Sequence, residues 1–274
     1  MWQGGHVAGL SDLRGRRAVV TGAASGIGRD LLFELVRRGA HVAACDVNHD
    51  ALRATVRRAQ AIGTDVQVTA HVLDVADRDA VRRLRHEVAE AHDCDAVHLL
   101  FNNAAVVGGT SFVTSPPDEW ERTFSVAWDG TYRCTRELLP MLMAADRGAV
   151  VNIASVNALW ASLGTRVPHS AYSSAKFAVR GFTESLIADF RANAPHLSAV
   201  LVLPGHVRTG MPAPPRTWRR ALGSLFADYQ PVSSASAAVT ILDAVARGEW
   251  RVVIGDDAEA VDERVRSDPW TAYD

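Results

Sequence analysis

Residues 17–28 read Arg17-Ala18-Val19-Val20-Thr21-Gly22-Ala23-Ala24-Ser25-Gly26-Ile27-Gly28. An apolar run that fits a buried strand is followed by a turn with three glycines and then by a helical pattern. Glycine permits a tight turn and lets backbone N–H groups approach a diphosphate, and the N-terminus of the next helix favours the same negative charge. The stretch therefore predicts the first strand, turn and helix of a dinucleotide-binding fold.

Apolar runs alternate with amphipathic segments from this stretch to the end of the chain. The runs are continuously apolar, which is typical of strands covered on both faces. The pattern predicts an α/β protein with a doubly wound Rossmann fold, whose seven parallel strands lie at 17–21, 41–45, 66–72, 97–101, 149–154, 198–203 and 251–254. Helices are predicted over 77–92 behind an Asp77 cap, from 115–118 onward, over 172–193, and from Ser233 or Ser234 to Gly248.

We find neither a polar linker nor an internal repeat, so we expect residues 1–274 to form a single domain. Residues 1–12 are expected to be an N-terminal arm and residues 256–274 a C-terminal tail. The segment 206–232 is irregular and rich in proline and arginine, which predicts a substrate loop or lid.

Composition excludes several classes of protein. Of the 274 residues, 48% are apolar, enough for a sizeable core, and the formal charge of −2 comes without the basic clustering that predicts nucleic-acid binding. The histidines and the three cysteines show no metal-ligand spacing, and the cysteines fit a reducing compartment. With no visible signal peptide and no apolar run near the length of a membrane span, we expect a soluble cytoplasmic protein.

Asp46 follows the second predicted strand. A carboxylate at that place can accept hydrogen bonds from both hydroxyls of an adenosine ribose, and it repels a 2′-phosphate. No basic residue follows at position 47, and Ser25 occupies the turn position where one could also help. These residues predict NAD rather than NADP, with a helix-capping role for Asp46 as the alternative.

Lys176 is the only lysine in a chain with 29 lysine and arginine residues. It lies four positions after Tyr172, which on a helix places the two side chains one turn apart on one face. A nearby ammonium favours the phenolate, so the pair predicts a tyrosine with a lowered pKa that serves as an acid or base. The alternative is a chance pair on the surface.

Together these features resemble the short-chain dehydrogenase/reductase family, in its shorter branch, over residues 13–255. Four more segments resemble motifs of that family: Leu73-Asp74-Val75, Asn102-Asn103-Ala104-Ala105, Asn152-Ile153-Ala154-Ser155 and Pro204-Gly205-His206-Val207-Arg208-Thr209. The resemblance implies a catalytic set of Ser155, Tyr172 and Lys176. It implies a cofactor site made of Gly22, Ser25, Gly26, Ile27, Gly28, Asp46, Asp74, Val75, Asn102, Tyr172, Lys176, Pro204, Gly205, Val207 and Thr209.

The resemblance also implies roles for these side chains. Tyr172 is expected to be the base in alcohol oxidation and the acid in the reverse reaction, with Lys176 on the nicotinamide ribose and Ser155 on the substrate oxygen. Asp74 is expected near the adenine amino group, and Val207 and Thr209 near the nicotinamide carboxamide.

Two features depart from the family pattern. Ala127 stands where the family usually has an asparagine that anchors a proton-relaying water; if a backbone carbonyl holds that water, alanine suffices with some loss of rate. The spacing of 17 positions from Ser155 to Tyr172 is also longer than usual. We expect the additional segment, 160–169, to reshape the mouth of the substrate site.

The substrate pocket is predicted around Val107, Trp160, His169, Met211 and Trp218, with Phe112, Leu159 and Phe226 as further apolar wall. For each apolar residue the alternative is ordinary core packing. Apolar and aromatic walls favour an NAD-dependent oxidoreductase that interconverts an apolar secondary alcohol and its ketone. A homotetramer or homodimer is expected by analogy with the family.

Two other functions are compatible with the sequence. One is an NADPH-dependent ketone reductase that uses the same chemistry with the other cofactor. The second is a non-catalytic NAD-binding sensor or scaffold, which Ala127 motivates. A sugar epimerase or dehydratase of the same superfamily is disfavoured, because only about 70 residues follow Pro204 and leave little room for a substrate domain.

Overall fold

The structure is a computed structural model that describes residues 9–63, 65–161, 168–209 and 229–269. Its strands are β1 (Arg17–Thr21), β2 (His41–Asp46), β3 (Val68–Val72), β4 (Leu99–Asn102), β5 (Gly148–Ile153), β6 (Leu197–Pro204), β7 (Val207–Arg208), β8 (Val232–Ser233) and β9 (Arg251–Ile254). Its α-helices are α1 (Gly26–Arg37), α2 (His49–Gln60), α3 (Arg78–His92), α4 (Pro117–Phe124), α5 (Gly130–Met143), α6 (Ser170–Asn193), α7 (Ser234–Arg247) and α8 (Asp256–Ser267).

The predicted seven-stranded parallel sheet is confirmed, with the order β3-β2-β1-β4-β5-β6-β9. Helices α1, α2 and α7 cover one face, where Leu31 and Ile241 are fully buried. Helices α3, α5 and α6 cover the other face, where Leu84 and Leu138 are fully buried. The strand order reverses at β1, which pairs with both β2 and β4. In doubly wound sheets this reversal opens a crevice at the carboxyl ends of the strands.

Two of the helices begin at the predicted caps. The Asp77 carboxylate accepts hydrogen bonds from Asp79 N and Ala80 N at the start of α3. Of the two candidates for the last predicted helix, Ser233 is the cap, and Gly248 ends that helix with φ of +73°. Such caps can be predicted from the sequence, because the capping side chain and the backbone N–H group that it accepts from are at most three residues apart.

Two parts of the fold differ from the prediction. The short parallel pair of β7 and β8 was not predicted, because two-residue strands leave no periodic pattern. Residues 256–267, expected to belong to a C-terminal tail, form α8 instead. Ala258 and Val261 on that helix are buried in a cluster with Leu201 and Leu203 of β6.

Parts of the predicted arm and loop lie outside the described residues, namely 1–8 and 210–228. Within the arm, Leu10 is buried and its N–H donates to Val245 O on α7. Among the described helices, none combines the length and apolarity needed to cross a bilayer.

Two buried histidines meet at one hydroxyl near the sheet edge. The Thr69 Oγ1 atom lies 2.8 Å from Nε2 of His71 on β3 and 2.8 Å from Nε2 of His92 on α3. Burial lowers the pKa of both rings, that of His92 from 6.5 to about 4. Both rings are therefore held neutral in the folded protein.

We predict that this pair makes the fold less stable in mild acid. An unfolded His92 takes up its proton near pH 6.5 and the folded one only near pH 4, so unfolding is favoured as the pH falls between these values. The free energy of unfolding should lose up to roughly 3 kcal/mol from this group across that window. Denaturant unfolding of His92→Gln should show a shallower dependence on pH than the wild type.

The matched control is His86→Gln, since His86 lies exposed on the same helix. It should retain the wild-type pH dependence. An unchanged slope between pH 6.5 and 4 in His92→Gln would contradict this account.

Candidate active site

The carboxyl ends of the central strands border a cleft of about 310 Å³. It lies at the strand reversal, where the topology places the crevice. Most of the predicted cofactor and catalytic residues line it: Gly22, Ser25, Gly26, Ile27, Asp46, Asp74, Val75, Ser155, Tyr172, Lys176, Pro204, Gly205, Val207 and Thr209.

The glycine turn forms one end of this cleft. Gly22 and Gly26 have φ of +67° and +53°, in the left-handed region that glycine adopts without strain. Gly28 does not line the cleft; a Cβ there would lie 2.2 Å from Gly22 O, so its hydrogen lets α1 pack against the turn. Ser25 caps α1 by its backbone position, and its side chain makes no capping bond. The first N–H groups of α1 thus face the cleft beside a positive helix end.

Asp46 ties this turn to the end of β2. Its Oδ2 accepts a hydrogen bond from Ala24 N and its Oδ1 one from Asn48 N, each at 2.9 Å. Each carboxylate oxygen has a further lone pair, so the half-buried side chain can still accept bonds from a ligand.

Asn102 is placed differently from the prediction. Its side chain is buried under the sheet, where Nδ2 donates to Thr135 Oγ1 at 2.9 Å and to Asn152 Oδ1 at 2.8 Å. The next residue, Asn103, lines the cleft, and its Nδ2 donates to Thr21 O at 2.9 Å. Side chains of successive strand residues point in opposite directions. A prediction that is wrong by one position therefore selects a residue that faces the interior in place of its neighbour that faces the cleft.

An unpredicted arginine joins the site at Asp74. Arg122 on α4 lines the cleft, and its Nη1 lies 2.6 Å from Asp74 Oδ2. The Asp74 Oδ1 atom accepts a hydrogen bond from Ala76 N. No local pattern signals this ion pair, since the two residues are far apart in the sequence.

The three predicted catalytic residues converge at the inner end of the cleft. Ser155, just after β5, and Tyr172, in the first turn of α6, both line the cleft, with the serine hydroxyl near enough to the phenol to influence its pKa. Lys176 is 2% exposed, and its Nζ donates to Ile153 O at 2.7 Å. The ammonium nitrogen lies 5.5 Å from the centre of the Tyr172 ring.

The expected lowering of the Tyr172 pKa by Lys176 is wrong for this structure. Burial raises the pKa of the phenol, and the nearby Ser155 hydroxyl offsets only part of that rise. Burial also lowers the pKa of Lys176 to about 8. Both shifts follow from the cost of a charge away from water, which the sequence pattern does not reveal.

Ala127 lies in a π-helical turn, Ser125–Asp129, between α4 and α5. Its methyl group is fully buried, and its carbonyl oxygen accepts a hydrogen bond from Thr131 Oγ1 at 2.9 Å. π-Helical turns are rare and occur frequently at functional sites. The turn forms here without the asparagine usual in the resembled family.

A second cavity, of about 190 Å³, adjoins the cleft. The two share Ser155, Tyr172, Gly205 and Val207 as wall. The remaining wall residues are Val107, Val156, Asn157, His169, His206 and Asp257.

Of the predicted pocket residues, Val107 and His169 line this second cavity. Trp160 does not; it is 4% exposed in a core cluster with Leu203 and Val261, so the alternative of core packing is the correct one. Phe112 is 79% exposed on the surface. Met211, Trp218 and Phe226 lie outside the described residues.

Asn157 is a site residue that sequence reasoning missed. Its N–H donates to Ser155 Oγ at 3.2 Å, and its Nδ2 donates to Ser173 Oγ at 3.3 Å. It therefore connects Ser155, just after β5, to the first turn of α6. Its position two residues after Ser155, at a strand end, is the signal that could have identified it.

Comparisons with known proteins agree with this geometry. A family model described as short chain dehydrogenase matches residues 16–220. The protein SadH of Mycobacterium tuberculosis is 38% identical over 258 residues, which is 92% of this chain and 91% of SadH. The 2-keto-3-deoxy-L-fuconate dehydrogenase of Xanthomonas campestris is 33% identical over 198 residues, 72% of this chain and 60% of that enzyme.

A solved structure has the same overall shape. It is a short-chain dehydrogenase/reductase from Burkholderia phymatum in complex with NAD. The TM-score is 0.83 at 25% sequence identity, over 96% of this chain and 97% of that one.

We predict that Gly28→Ala weakens NAD binding. The added methyl would overlap the Gly22 carbonyl, so α1 must move away from the turn. The dissociation constant for NAD, measured by calorimetry, should rise at least about tenfold, which corresponds to ~1.4 kcal/mol.

Gly181→Ala is the matched control. A Cβ at Gly181 on α6 meets nothing within 4 Å. This change should leave NAD affinity unaltered and stabilise the helix by roughly 0.5–1 kcal/mol. Equal NAD affinity in Gly28→Ala and the wild type would refute the packing role of Gly28.

Proposed function

This chain belongs to the short-chain dehydrogenase family of oxidoreductases acting on CH–OH groups, and we propose that it interconverts an apolar secondary alcohol and its ketone with NAD. One observation carries the proposal: a cleft at the strand reversal and a smaller cavity meet at Ser155 and Tyr172. A cofactor in the cleft and a substrate in the cavity would therefore meet at the acid/base group.

The cleft has the features that a dinucleotide requires. The positive-φ glycines and the open N-terminus of α1 suit a diphosphate. Asp46 would hold the adenosine ribose, Asp74 and Val75 the adenine, and Lys176 the second ribose, with Val207 and Thr209 at the nicotinamide. When bound, the cofactor supplies the acceptor for the hydride.

NAD is favoured over NADP by the charges at the adenosine end. The Asp46 carboxylate is fixed by two backbone N–H groups and would repel a 2′-phosphate. The next residue, Val47, carries no charge. Arg122 lines the cleft but is paired with Asp74 at 2.6 Å. No unpaired cation therefore adjoins Asp46 among the described lining residues.

Tyr172 is the proposed acid and base. In oxidation its phenolate takes the proton from the carbinol oxygen as the carbon loses its hydride and the C=O bond forms. In reduction the phenol returns that proton to the carbonyl oxygen. Ser155, which lines both the cleft and the second cavity together with Tyr172, would donate to the same oxygen and stabilise its developing negative charge.

The pKa directions couple this chemistry to pH. Because the pKa of Tyr172 is raised, the phenol is protonated near neutral pH and ready for ketone reduction. Alcohol oxidation needs the phenolate and is favoured as the pH rises. Lys176, with a pKa of about 8, is mostly charged near neutral pH and can donate hydrogen bonds to a ribose hydroxyl.

The substrate cavity supports an uncharged, largely apolar substrate. Val107, Val156 and Val207 give it apolar wall. His169 is buried, and burial lowers its pKa, so the ring is neutral near pH 7. A secondary alcohol with an apolar skeleton fits such a lining. Assembly as a homodimer or homotetramer belongs to the same proposal.

We predict that purified protein reduces NAD in the presence of an apolar secondary alcohol and that Tyr172→Phe abolishes this turnover. The substitution retains the ring and removes the proton carrier. The value of kcat/KM should fall by about 10²–10⁴. NADH absorbance measures turnover, and fluorescence titration should show an NAD dissociation constant within about threefold of the wild type.

Tyr132→Phe is the control, because Tyr132 is an exposed tyrosine on α5. It should retain wild-type turnover. NAD binding without turnover of any alcohol or ketone, in a broad panel with both cofactors, would favour a sensor or scaffold over an enzyme.

We predict that Asp46→Ala shifts cofactor preference toward NADP. Removing the carboxylate removes two acceptors for the ribose hydroxyls and the repulsion of a 2′-phosphate. The ratio of the NADP to the NAD dissociation constant should fall by about tenfold or more, equivalent to ~1.4 kcal/mol.

The control is Asp50→Ala, which removes an acid of the same charge whose side chain is 97% exposed at the start of α2. It should leave the ratio unchanged. Tighter binding of NADP than NAD by the wild type would instead support the alternative of an NADPH-dependent ketone reductase.

A further inference from the structure

A buried carboxylate from the last helix reaches the junction of the two cavities. Asp257 lies in the first turn of α8 and is 5% exposed. Its Oδ2 accepts a hydrogen bond from the backbone N–H of His206 at 2.7 Å. Charged side chains are seldom buried to this extent without a specific partner, and among the described residues that partner is the His206 peptide group.

Two glycines make room for this carboxylate. A Cβ at Gly205 would lie 2.2 Å from Asp257 Oδ1, and one at Gly255 would lie 2.5 Å from the same atom. The carboxylate therefore occupies the space that side chains at both positions would need. The Asp257 side chain thus packs closely against the backbone of Gly205 and His206.

The segment that Asp257 holds is the wall between the two cavities. Gly205 and Val207 line both the cleft and the second cavity. The Gly205 N–H donates to Ile254 O, and the His206 carbonyl accepts from Val232 N. The His206 N–H is the donor that these bonds leave over, and it donates to Asp257. This bond therefore fixes the backbone of His206, which joins Gly205 to Val207.

We propose that Asp257 is a positioning residue for the oxidoreductase reaction, acting through the His206 N–H to set the wall formed by Gly205 and Val207. This rests on the proposed function, since that wall would separate cofactor from substrate. Asp257 also lies beyond residues 16–220, the part of the chain that the family model matches.

The test compares Asp257→Ala with Asp257→Asn. Asparagine keeps an oxygen that can accept the His206 N–H, whereas alanine leaves that group without an acceptor. We expect kcat to fall by about 10- to 100-fold in the alanine variant, because a small misplacement of reacting groups is costly. The asparagine variant should stay within about threefold of the wild type.

Two further readouts separate positioning from a general loss of structure. With a substrate deuterated at the carbinol carbon, Asp257→Ala should show a larger isotope effect on kcat than the wild type, while KM for NAD changes by less than about fivefold. Amide hydrogen exchange at His206 should be at least about tenfold faster in the alanine variant and unchanged in the asparagine variant. Asp256→Ala, an exposed acid on the same turn, is the control and should leave every readout unchanged.

The outcomes distinguish this proposal from the proposed function. If the wild type is inactive with all alcohols and ketones, the proposed function fails. Faster amide exchange at His206 in Asp257→Ala, with the wild-type rate in Asp257→Asn, then still supports the positioning role. A folded Asp257→Ala that retains wild-type kcat and isotope effect overturns the proposal. Equal losses in the alanine and asparagine variants also overturn it, because the charge of Asp257 and not its bond to His206 would then matter.

Discussion

A buried ammonium bonded to a single carbonyl oxygen ties the longest helix to the centre of the sheet. Lys176 on α6 donates to Ile153 O at the end of β5 and is almost entirely buried. Water no longer solvates this charge, which lowers its pKa and makes the bond to Ile153 costly to lose. One turn earlier, Tyr172 is thereby held beside Ser155. Arginine is a poor replacement, since its planar guanidinium is larger than the compact ammonium.

A buried polar network supports the same junction from beneath the sheet. Asn152 of β5 accepts from Asn102 of β4, and its own Nδ2 donates to Thr183 Oγ1 on α6 at 2.9 Å. Asn102 also donates to Thr135 on α5. Two central strands are thus pinned to the helices behind them by directional bonds, which apolar contacts alone would not provide. The place of Asn102 in this network explains why it is absent from the cleft.

The sequence predicts those features that depend on neighbours along the chain. The sheet, the glycine turn, the Asp77 cap and the Ser233 cap all follow from local periodicity or from spacings of a few residues. The rest depends on contacts between distant segments. The pairing of Arg122 with Asp74 leaves no local signal. The helix that carries Asp257 has acids in its first turn and arginines in its last, a local signal that the sequence prediction missed, but its packing against β6 is a contact between distant segments. The apolar character of a side chain such as Trp160 predicts that it is buried. It does not predict whether that side chain faces the core or a cavity.

Ala127 bears on the choice between an enzyme and a binding protein. The π-helical turn around it persists without an asparagine, and its carbonyl accepts one bond from Thr131. The methyl group offers no hydrogen-bonding atom to a water, so a water there would depend on backbone groups. The alanine therefore removes a side-chain ligand and leaves the backbone that shapes the site. A protein that only bound a dinucleotide would have no need to bury a lysine 5.5 Å from the phenol ring of Tyr172. The cost of that burial favours catalysis.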